Sequence, residues 1–488
     1  MNPPAAQKPV KRPPRRGAPP KGGTARPGRS KAGQSKSGPP KAAQRPDSAR
    51  VAAIKAFLDF EGGLAPREPP SALTDESERR LYTRLGAGLL RHKRLLEAEV
   101  LRLNRVPAGR LDRVAVAIAM LGLLQLREME IAPHAVLFET VEVAARLGYT
   151  RAKGWINGIL RSALREREAG GGGTESYPLA IRTSHPDWLV ERWRARYGEA
   201  RCAEICEANN SFPGLAVRIE RGHSGNGGER DALIAALQAE GAGARPHPML
   251  DSALMTDQLG ALLRSSVFRE GKLFVQDAAS QLLTAWTAPL WRGRLLDACA
   301  APGGKLTHLL RLAEPGLRLV AAERERGRLG LIRDNLERLH LPTPPLLLAD
   351  ASRPPFAPES FDTVLLDVPC LSTGIVRKYP EIKWRKRLED LTALTAAQAA
   401  MLDAAAELLR PGGRILYSTC SLEPEENEQQ VAAFFARHAG FARIPFAELP
   451  LPAGFTGSPG NFLAETGDFQ ALPGPHGMGL YAAILERA

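Results

Sequence analysis

The sequence predicts three folded units behind a basic tail: an all-helical bundle, a small α+β module, and a doubly wound α/β domain. Three observations carry this. Helical apolar spacing runs from Ser48 to about Arg167. A mixed strand and helix segment follows the glycine break Gly170–Gly173. From about Gly293 onward, short apolar runs alternate with helical patterns, as β-α units around a parallel sheet require. A length of 488 residues agrees with two to four domains. The expected boundaries are 1–47 for the tail, 48–168 for the bundle, 169–177 for a linker, 178–285 for the module and 286–488 for the α/β domain.

The tail explains the charge. Residues 1–46 hold twelve Lys or Arg and no Asp or Glu, so the formal +13 leaves only +1 on the other 442 residues. Rich in Pro, Gly and Ser, the tail buries too little to offset its chain entropy and is expected to be disordered. It lacks the apolar core of a secretory signal, and its prolines prevent an amphipathic transit helix. An electrostatic arm for a polyanion and a merely solubilising extension weigh about equally. Deleting residues 1–46 is expected to weaken binding to a polyanion such as RNA at low salt in a filter-binding assay, without changing which site the body recognises.

The composition of the whole chain is ordinary for a soluble protein, at 44% hydrophobic and 24% charged residues. The longest apolar run, Ala115 to Leu126, is too short for a membrane span. Five cysteines, at 202, 206, 299, 370 and 420, form a sparse and odd set that points to a reducing cytoplasm. Cys202 and Cys206 stand four apart without a second ligand pair, so ordinary helix positions are favoured over a metal site.

In the bundle, Leu111 to Leu126 is densely apolar, and Ala135 to Leu147 repeats apolar residues at spacings of three and four after Pro133, a helix start. In the module, Trp188–Ala208 and Asp231–Glu240 read as helices and Leu215–Ile219 as a strand. In the α/β domain the expected strands are 294–299, 317–322, 346–350, 362–367 and 414–418. Helices are expected over Arg326–Leu339 and Leu391–Leu409, the second stopped by Pro411-Gly412-Gly413. Ligands of such a sheet sit at the carboxyl ends of its strands.

Four motifs fall there. Asp297-Ala-Cys-Ala-Ala-Pro-Gly-Gly-Lys305 is a small-residue turn before a helix, where backbone can approach a ligand. It is neither a phosphate loop nor a dinucleotide fingerprint. Glu323 follows about 20 residues on, suited to a ribose diol, and Asp350 ends the third strand, placed to accept from a nucleobase amine. One such acid alone would more often be a surface or capping carboxylate; their recurrence at successive strand ends favours a site. The fourth motif is double: Asp367-Val-Pro-Cys370 and Tyr417-Ser-Thr-Cys420-Ser. A thiolate can add to an electron-poor ring carbon while a neighbouring carboxyl group binds the ring edge. A single cysteine is usually a small buried hydrophobe; two on the ligand face are not easily inert.

These motifs, with Pro424-Glu-Glu-Asn427-Glu, resemble the S-adenosylmethionine-dependent RNA cytosine-5 methyltransferases. Ser184-His-Pro and Glu207-Ala-Asn-Asn resemble that family's RNA-binding subdomain. Lys153-Gly-Trp-Ile-Asn157-Gly-Ile-Leu resembles the antitermination factor NusB. The combination resembles the ribosomal RNA small-subunit methyltransferase B family, also called Fmu or Sun, over about nine tenths of the chain. The resemblance implies a NusB-like bundle, an RNA-binding module and a Rossmann-like S-adenosylmethionine methyltransferase domain. It implies that Cys299, Ala300, Ala301, Pro302, Gly303, Gly304 and Lys305 line the cofactor, with Arg328 nearby. Glu323 would hold the cofactor's ribose and Asp350 its adenine. Asp367 would touch both cofactor and cytosine. Cys420 would be the nucleophile and Cys370 would assist product release. Spacing alone does not decide which cysteine attacks, since DNA cytosine-5 methyltransferases use the Pro-Cys motif. Two positions depart from the pattern: Glu323 stands where Asp is usual, and Met478-Gly-Leu-Tyr481 replaces Asp-Gly-Phe-Phe.

The expected function is therefore methylation of C5 of a cytosine in 16S ribosomal RNA by a cytoplasmic monomer that needs neither metal nor membrane. Transfer RNA is the alternative substrate, and a non-catalytic RNA-binding or antitermination module the alternative class. The intact cofactor loop and paired cysteines argue against the latter, and no His stands near either cysteine to suggest a hydrolase. The run Val376 to Arg387, basic with interleaved aromatics, is expected to contact RNA phosphates.

Overall fold

The computed structural model describes residues 48–488 except 66–67, 108, 110, 171–172, 212–213, 221–226, 314 and 475–476. The tail expected over 1–47 lies outside the described residues.

Six helices build the first unit: Ala49–Glu61, Glu76–Arg91, Lys93–Leu103, Arg113–Glu128, Pro133–Arg146 and Lys153–Glu168. Local chemistry starts them. The Asp112 carboxylate accepts from the backbone N–H of Val114 at 2.8 Å and Ala115 at 3.3 Å, satisfying donors the helix cannot. Asp75 does the same for Ser77 and Glu78, and Pro133 supplies a preset first turn. Every residue from Ala115 to Leu126 is buried. The longest apolar run is thus the central helix of the bundle, and the other helices cover it on all sides. No helix among the described residues is long and apolar enough to cross a membrane.

The module holds a four-stranded antiparallel sheet of Leu215–Ile219 (β1), Arg245–Pro246 (β2), Ala253–Thr256 (β3) and Leu273–Val275 (β4), in the order β2-β3-β1-β4. Only β1 is long enough for its alternation to show in sequence. The long helix Asp187–Asn210 bends at Gly198, whose φ is +78°. It packs Trp193, Cys202, Ile205 and Cys206 around Leu422 of the third unit. Both cysteines are core residues there.

The third unit is an eight-stranded sheet. Its strands are Arg294–Asp297 (β5), Arg318–Glu323 (β6), Leu346–Leu348 (β7), Phe361–Asp367 (β8), Leu409–Thr419 (β9), Phe441–Ile444 (β10), Phe469–Ala471 (β11) and Leu480–Arg487 (β12). The order is β10-β12-β9-β8-β5-β6-β7, with β11 paired to β12. β5 to β9 are mutually parallel; β12 runs antiparallel to β9. Successive side chains alternate between the two faces. Leu295, Leu365 and Leu416 pack with the helices Ala278–Thr287, Gly304–Leu312 and Arg326–Arg338. Leu296, Val364 and Ile415 pack with Asp390–Leu408 and Glu428–Arg437 on the other. From β5 the chain winds outward through β6 and β7, then returns to β8 and β9 on the other side. The switch point lies between β5 and β8, and their last residues are Asp297 and Asp367.

Pro411-Gly412-Gly413 does not separate helix from strand as expected. β9 begins at Leu409, pairs with Phe361, bulges, and resumes where Arg414 pairs with Thr363. Gly412, at φ +74°, lets the backbone turn within the bulge.

Candidate active site

A cleft of about 530 Å³ opens at the switch point. Cys299, Ala300, Ala301, Pro302, Gly304, Lys305, Glu323, Arg328, Asp350, Asp367, Cys370 and Cys420 all line it. Gly303 does not. It precedes the helix Gly304–Leu312 in a left-handed conformation, φ +101°, so its part is to turn the chain rather than to face a ligand.

Several expected contacts are already engaged within the protein. Arg328 donates to the Ala301 carbonyl at 2.7 Å and pairs with Glu323 at 3.3 Å, which holds the loop on the strand end. The Glu323 carboxylate also accepts from the Glu325 N–H at 3.0 Å. Asp350 accepts through Oδ1 from the N–H and hydroxyl of Ser352, and these bonds keep its carboxyl below the usual range. Burial, reinforced by Asp297, pushes the Cys299 thiol up, so it lines the cleft as a neutral group.

The reactive end is compact. Cys370 Sγ and Cys420 Sγ lie 3.3 Å apart as free thiols. Cys370 is buried, while Cys420 is partly open to the cleft. A hydrogen bond from Cys370 holds the Cys420 thiol below its usual range, helped by Ser372 and Lys305 and opposed by burial and Asp367. The same contact and burial push Cys370 well up. The activation that the sequence does not reveal thus has named sources. Asp367 accepts from Lys305 Nζ at 2.6 Å and from Ser418 Oγ at 2.8 Å, so both oxygens are oriented.

The stretch from Glu426 to Asn427 has a function that sequence reasoning missed. Glu426, fully buried, accepts from the Leu371 N–H at 3.0 Å and from Gln398 Nε2 at 3.0 Å. Asn427 accepts from Thr419 Oγ1 at 2.6 Å and donates to the Ser421 carbonyl at 3.0 Å. One residue therefore fixes the backbone beside Cys370, and the next fixes both sides of Cys420. Glu423, buried, receives Arg192 at 2.6 Å and Trp193 Nε1 at 3.1 Å from the helix Asp187–Asn210. These partners are distant in sequence, so no local signal could pair them.

Three further groups were given no role of their own by the sequence reasoning. Asp297 is fully buried at the cleft wall, and its Oδ1 has no hydrogen-bond partner. Asp277 accepts from the N–H groups of Ala279 and Met478, tying the module's exit to the carboxyl-terminal turn. At position 478 the backbone makes this contact, and Tyr481 donates to buried Asp468 at 2.6 Å. Arg218, fully buried on β1, donates to the Gly304 carbonyl, Gln276 and Thr307, and so joins the module to the first turn of the helix Gly304–Leu312.

Close packing locks the cysteine loops. The Gly374 N–H donates to the Cys420 carbonyl at 2.9 Å, and the Gly479 N–H to the Gly374 carbonyl at 2.8 Å. A Cβ at Gly374 would sit 2.6 Å from the Gly479 carbonyl oxygen, a backbone atom that cannot swing away. Gly374→Ala is expected to cost about 1–3 kcal/mol, seen as a lower urea midpoint, together with a loss of transfer activity.

The run from Val376 to Arg387 corrects an expectation. Lys383 is buried and donates to the Arg91 carbonyl at 2.7 Å and Asn210 Oδ1 at 3.2 Å. Trp384 Nε1 donates to the Leu90 carbonyl at 2.7 Å, and Arg377 to the Gly474 carbonyl at 2.7 Å. Lys383 and Trp384 thus join domains, and Arg377 is engaged within its own, so these three side chains bond to protein instead of standing open to phosphates. Lys378, Tyr379, Arg385 and Arg387 remain exposed. Likewise His185 of the Ser184-His-Pro motif is buried, with Nδ1 2.8 Å from the Thr183 carbonyl and Asn209 3.4 Å from Nε2. Among the described residues, no group of three or more His, Cys, Asp or Glu is placed to hold a metal ion.

Fold and cleft define a Rossmann-like methyltransferase preceded by a helical bundle and a small α+β module. Family profiles match in the same order: the NusB family over residues 48–165, the RsmF/B-like ferredoxin-like domain over 185–261, and 16S rRNA methyltransferase RsmB/F over 285–486. The chain is 35% identical over 445 residues to the ribosomal RNA small subunit methyltransferase B of Klebsiella pneumoniae (strain 342), covering 90% of this chain and 98% of that protein. It is 37% identical to the protein of that name from Vibrio cholerae serotype O1, covering 82% and 87%. The chain belongs to the ribosomal RNA small subunit methyltransferase B family. The crystal structure of PH0851 shares the fold at a TM-score of 0.68 and 23% identity, over 90% of this chain and 98% of its own. A methyltransferase homolog from Pyrococcus horikoshii does so at a TM-score of 0.51 and 22% identity, over 64% and 98%.

Proposed function

We propose that the cleft binds S-adenosylmethionine and that the protein methylates C5 of a cytosine in 16S ribosomal RNA through a transient bond between Cys420 and C6. The observation that carries this is the pair of thiols 3.3 Å apart beside an oriented carboxylate, in one cleft with the small-residue loop. The residues fit the cofactor. Glu323 and Asp350 stand at adjacent strand ends, and the helix that starts at Gly304 presents N–H groups. When bound, the cofactor supplies an electrophilic methyl group on its sulfonium.

The chain's own residues do the rest. C5 of cytosine is a poor nucleophile until C6 carries a substituent. Cys420, the more acidic and more open thiol, attacks C6. Asp367 stabilises the ring edge at N3, with the Lys305 ammonium beside it, as charge is pushed into the ring. The activated C5 takes the methyl group. Water takes the C5 proton, the C5–C6 double bond re-forms and Cys420 leaves as the thiolate, which the buried, protonated Cys370 stands 3.3 Å away to receive by hydrogen bond. The base must leave its stack to reach the pocket.

Bisulfite mapping of ribosomal and transfer RNA, with and without the gene, tests this. One cytosine of 16S ribosomal RNA is expected to lose protection when the gene is absent. A change confined to transfer RNA would replace the substrate, and no change in either RNA would overturn the reading.

A further inference from the structure

The segment that follows the Cys370 loop touches all three units. Lys378 and Tyr379 line the catalytic cleft, and Tyr379 is 41% exposed there. Tyr379 also lines a second groove of about 720 Å³, shared through Ser372 and Ile375, so it forms a wall between two cavities. Four residues on, Lys383 is 1% exposed and donates to the Arg91 carbonyl of the bundle and to Asn210 of the module. Trp384 packs on the bundle and donates to the Leu90 carbonyl. From the other side, Arg91 Nη2 donates to the Arg377 carbonyl at 3.0 Å.

Between wall and anchor the backbone is a continuous series of short turns. The Tyr379 N–H donates to the Ile375 carbonyl, Ile382 to Tyr379, and Lys386 to Ile382, each at 3.1 Å. A displacement at Lys383 is therefore carried to Tyr379. A buried lysine is also a costly way to fill space, since an apolar side chain of that volume packs without desolvating an amine. What lysine adds is direction: donors aimed at two other domains.

We propose that Lys383 and Trp384 are positioning residues through which the NusB-like bundle sets the place of Tyr379, and that Tyr379 stacks on the RNA beside the target cytosine. This rests on the function proposed above. Stacking a base on an aromatic ring is sequence-tolerant and suits a wall at the mouth of a pocket for an extruded base.

The test is single-turnover methyl transfer to transcribed 16S ribosomal RNA by the full chain, with cofactor affinity measured alongside by calorimetry. Tyr379→Ala is expected to slow transfer about 10- to 100-fold. Trp384→Phe keeps an aromatic side chain but loses the hydrogen bond to Leu90 and part of the indole packing, so its fold is checked by circular dichroism and urea unfolding; about a 5-fold loss is expected. Lys383→Met is expected to act in the same direction. Cofactor affinity stays unchanged in all three. In the Tyr379→Ala background, Trp384→Phe should cause no further loss. Equal losses from Trp384→Phe in both backgrounds, no loss in either, or a matching fall in cofactor affinity would overturn the positioning role while leaving the activity assigned. A wild-type protein that transfers no methyl group to the RNA would overturn both.

Discussion

Cys420→Ala is expected to abolish methyl transfer, by about 10⁴-fold or more, while Cys370→Ala is expected to trap the protein on its RNA. The two outcomes differ because the proposed mechanism gives the two thiols different roles. Cys420 opens to the cleft and is held below its usual range by the Cys370, Ser372 and Lys305 side chains. Cys370 is buried behind it and pushed well up. In the proposed mechanism the first is the group that attacks, and removing it removes the bond-forming group. Removing Cys370 also removes a hydrogen bond that acidifies Cys420, so attack should slow somewhat. The larger effect is on release, where a covalent RNA adduct should accumulate. A denaturing gel of protein with labelled RNA reads both results. An adduct that survives Cys420→Ala but disappears in Cys370→Ala would exchange the roles.

The motif residues were legible because a parallel sheet sends each strand's last residues to one edge. Asp297, Glu323, Asp350 and Asp367 could be brought together from strand order alone, and the two cysteine loops with them. Residues that act through the third dimension were not legible. Glu426 and Asn427 look like part of an acidic turn, yet one holds Leu371 and the other Ser421. Lys383 and Trp384 look like a basic and aromatic RNA contact, because sequence reports side-chain type but not which side of a short helix faces another domain. β2, β3 and β4 are two to four residues long, too short for period-two alternation to stand out. Pro411-Gly412-Gly413 reads as a stop because isolated strands avoid such residues; a bulge beside β8 accommodates them.

Asp297 was visible as the start of a motif but not as a titrating group. Burial pushes its pKa up from 3.8 to about 7, and the Asp367 charge adds to this; Lys305 and the Cys299 N–H oppose it. The sign for stability follows. Below about pH 4 both the folded and unfolded states hold the proton. Between about pH 4 and 7 the unfolded chain releases it while the folded chain keeps it, so folding becomes less favourable as pH rises. Above about 7 both are ionised and the loss stops growing. With about 1.4 kcal/mol per pKa unit, the loss is about 4 kcal/mol. Asp297→Asn removes the titration. The stability of Asp297→Asn relative to the wild type should therefore rise between pH 4 and pH 7 and level off beyond, measured by urea unfolding at each pH. The baseline offset of the variant, which places an amide N–H₂ in a buried site, is the same at every pH and does not affect the slope. Because Asp367 contributes to the shift, repeating the pair in an Asp367→Asn background should narrow the window from its upper end. A difference that stays flat from pH 4 to 8 would mean that Asp297 ionises as readily in the folded cleft as in the unfolded chain.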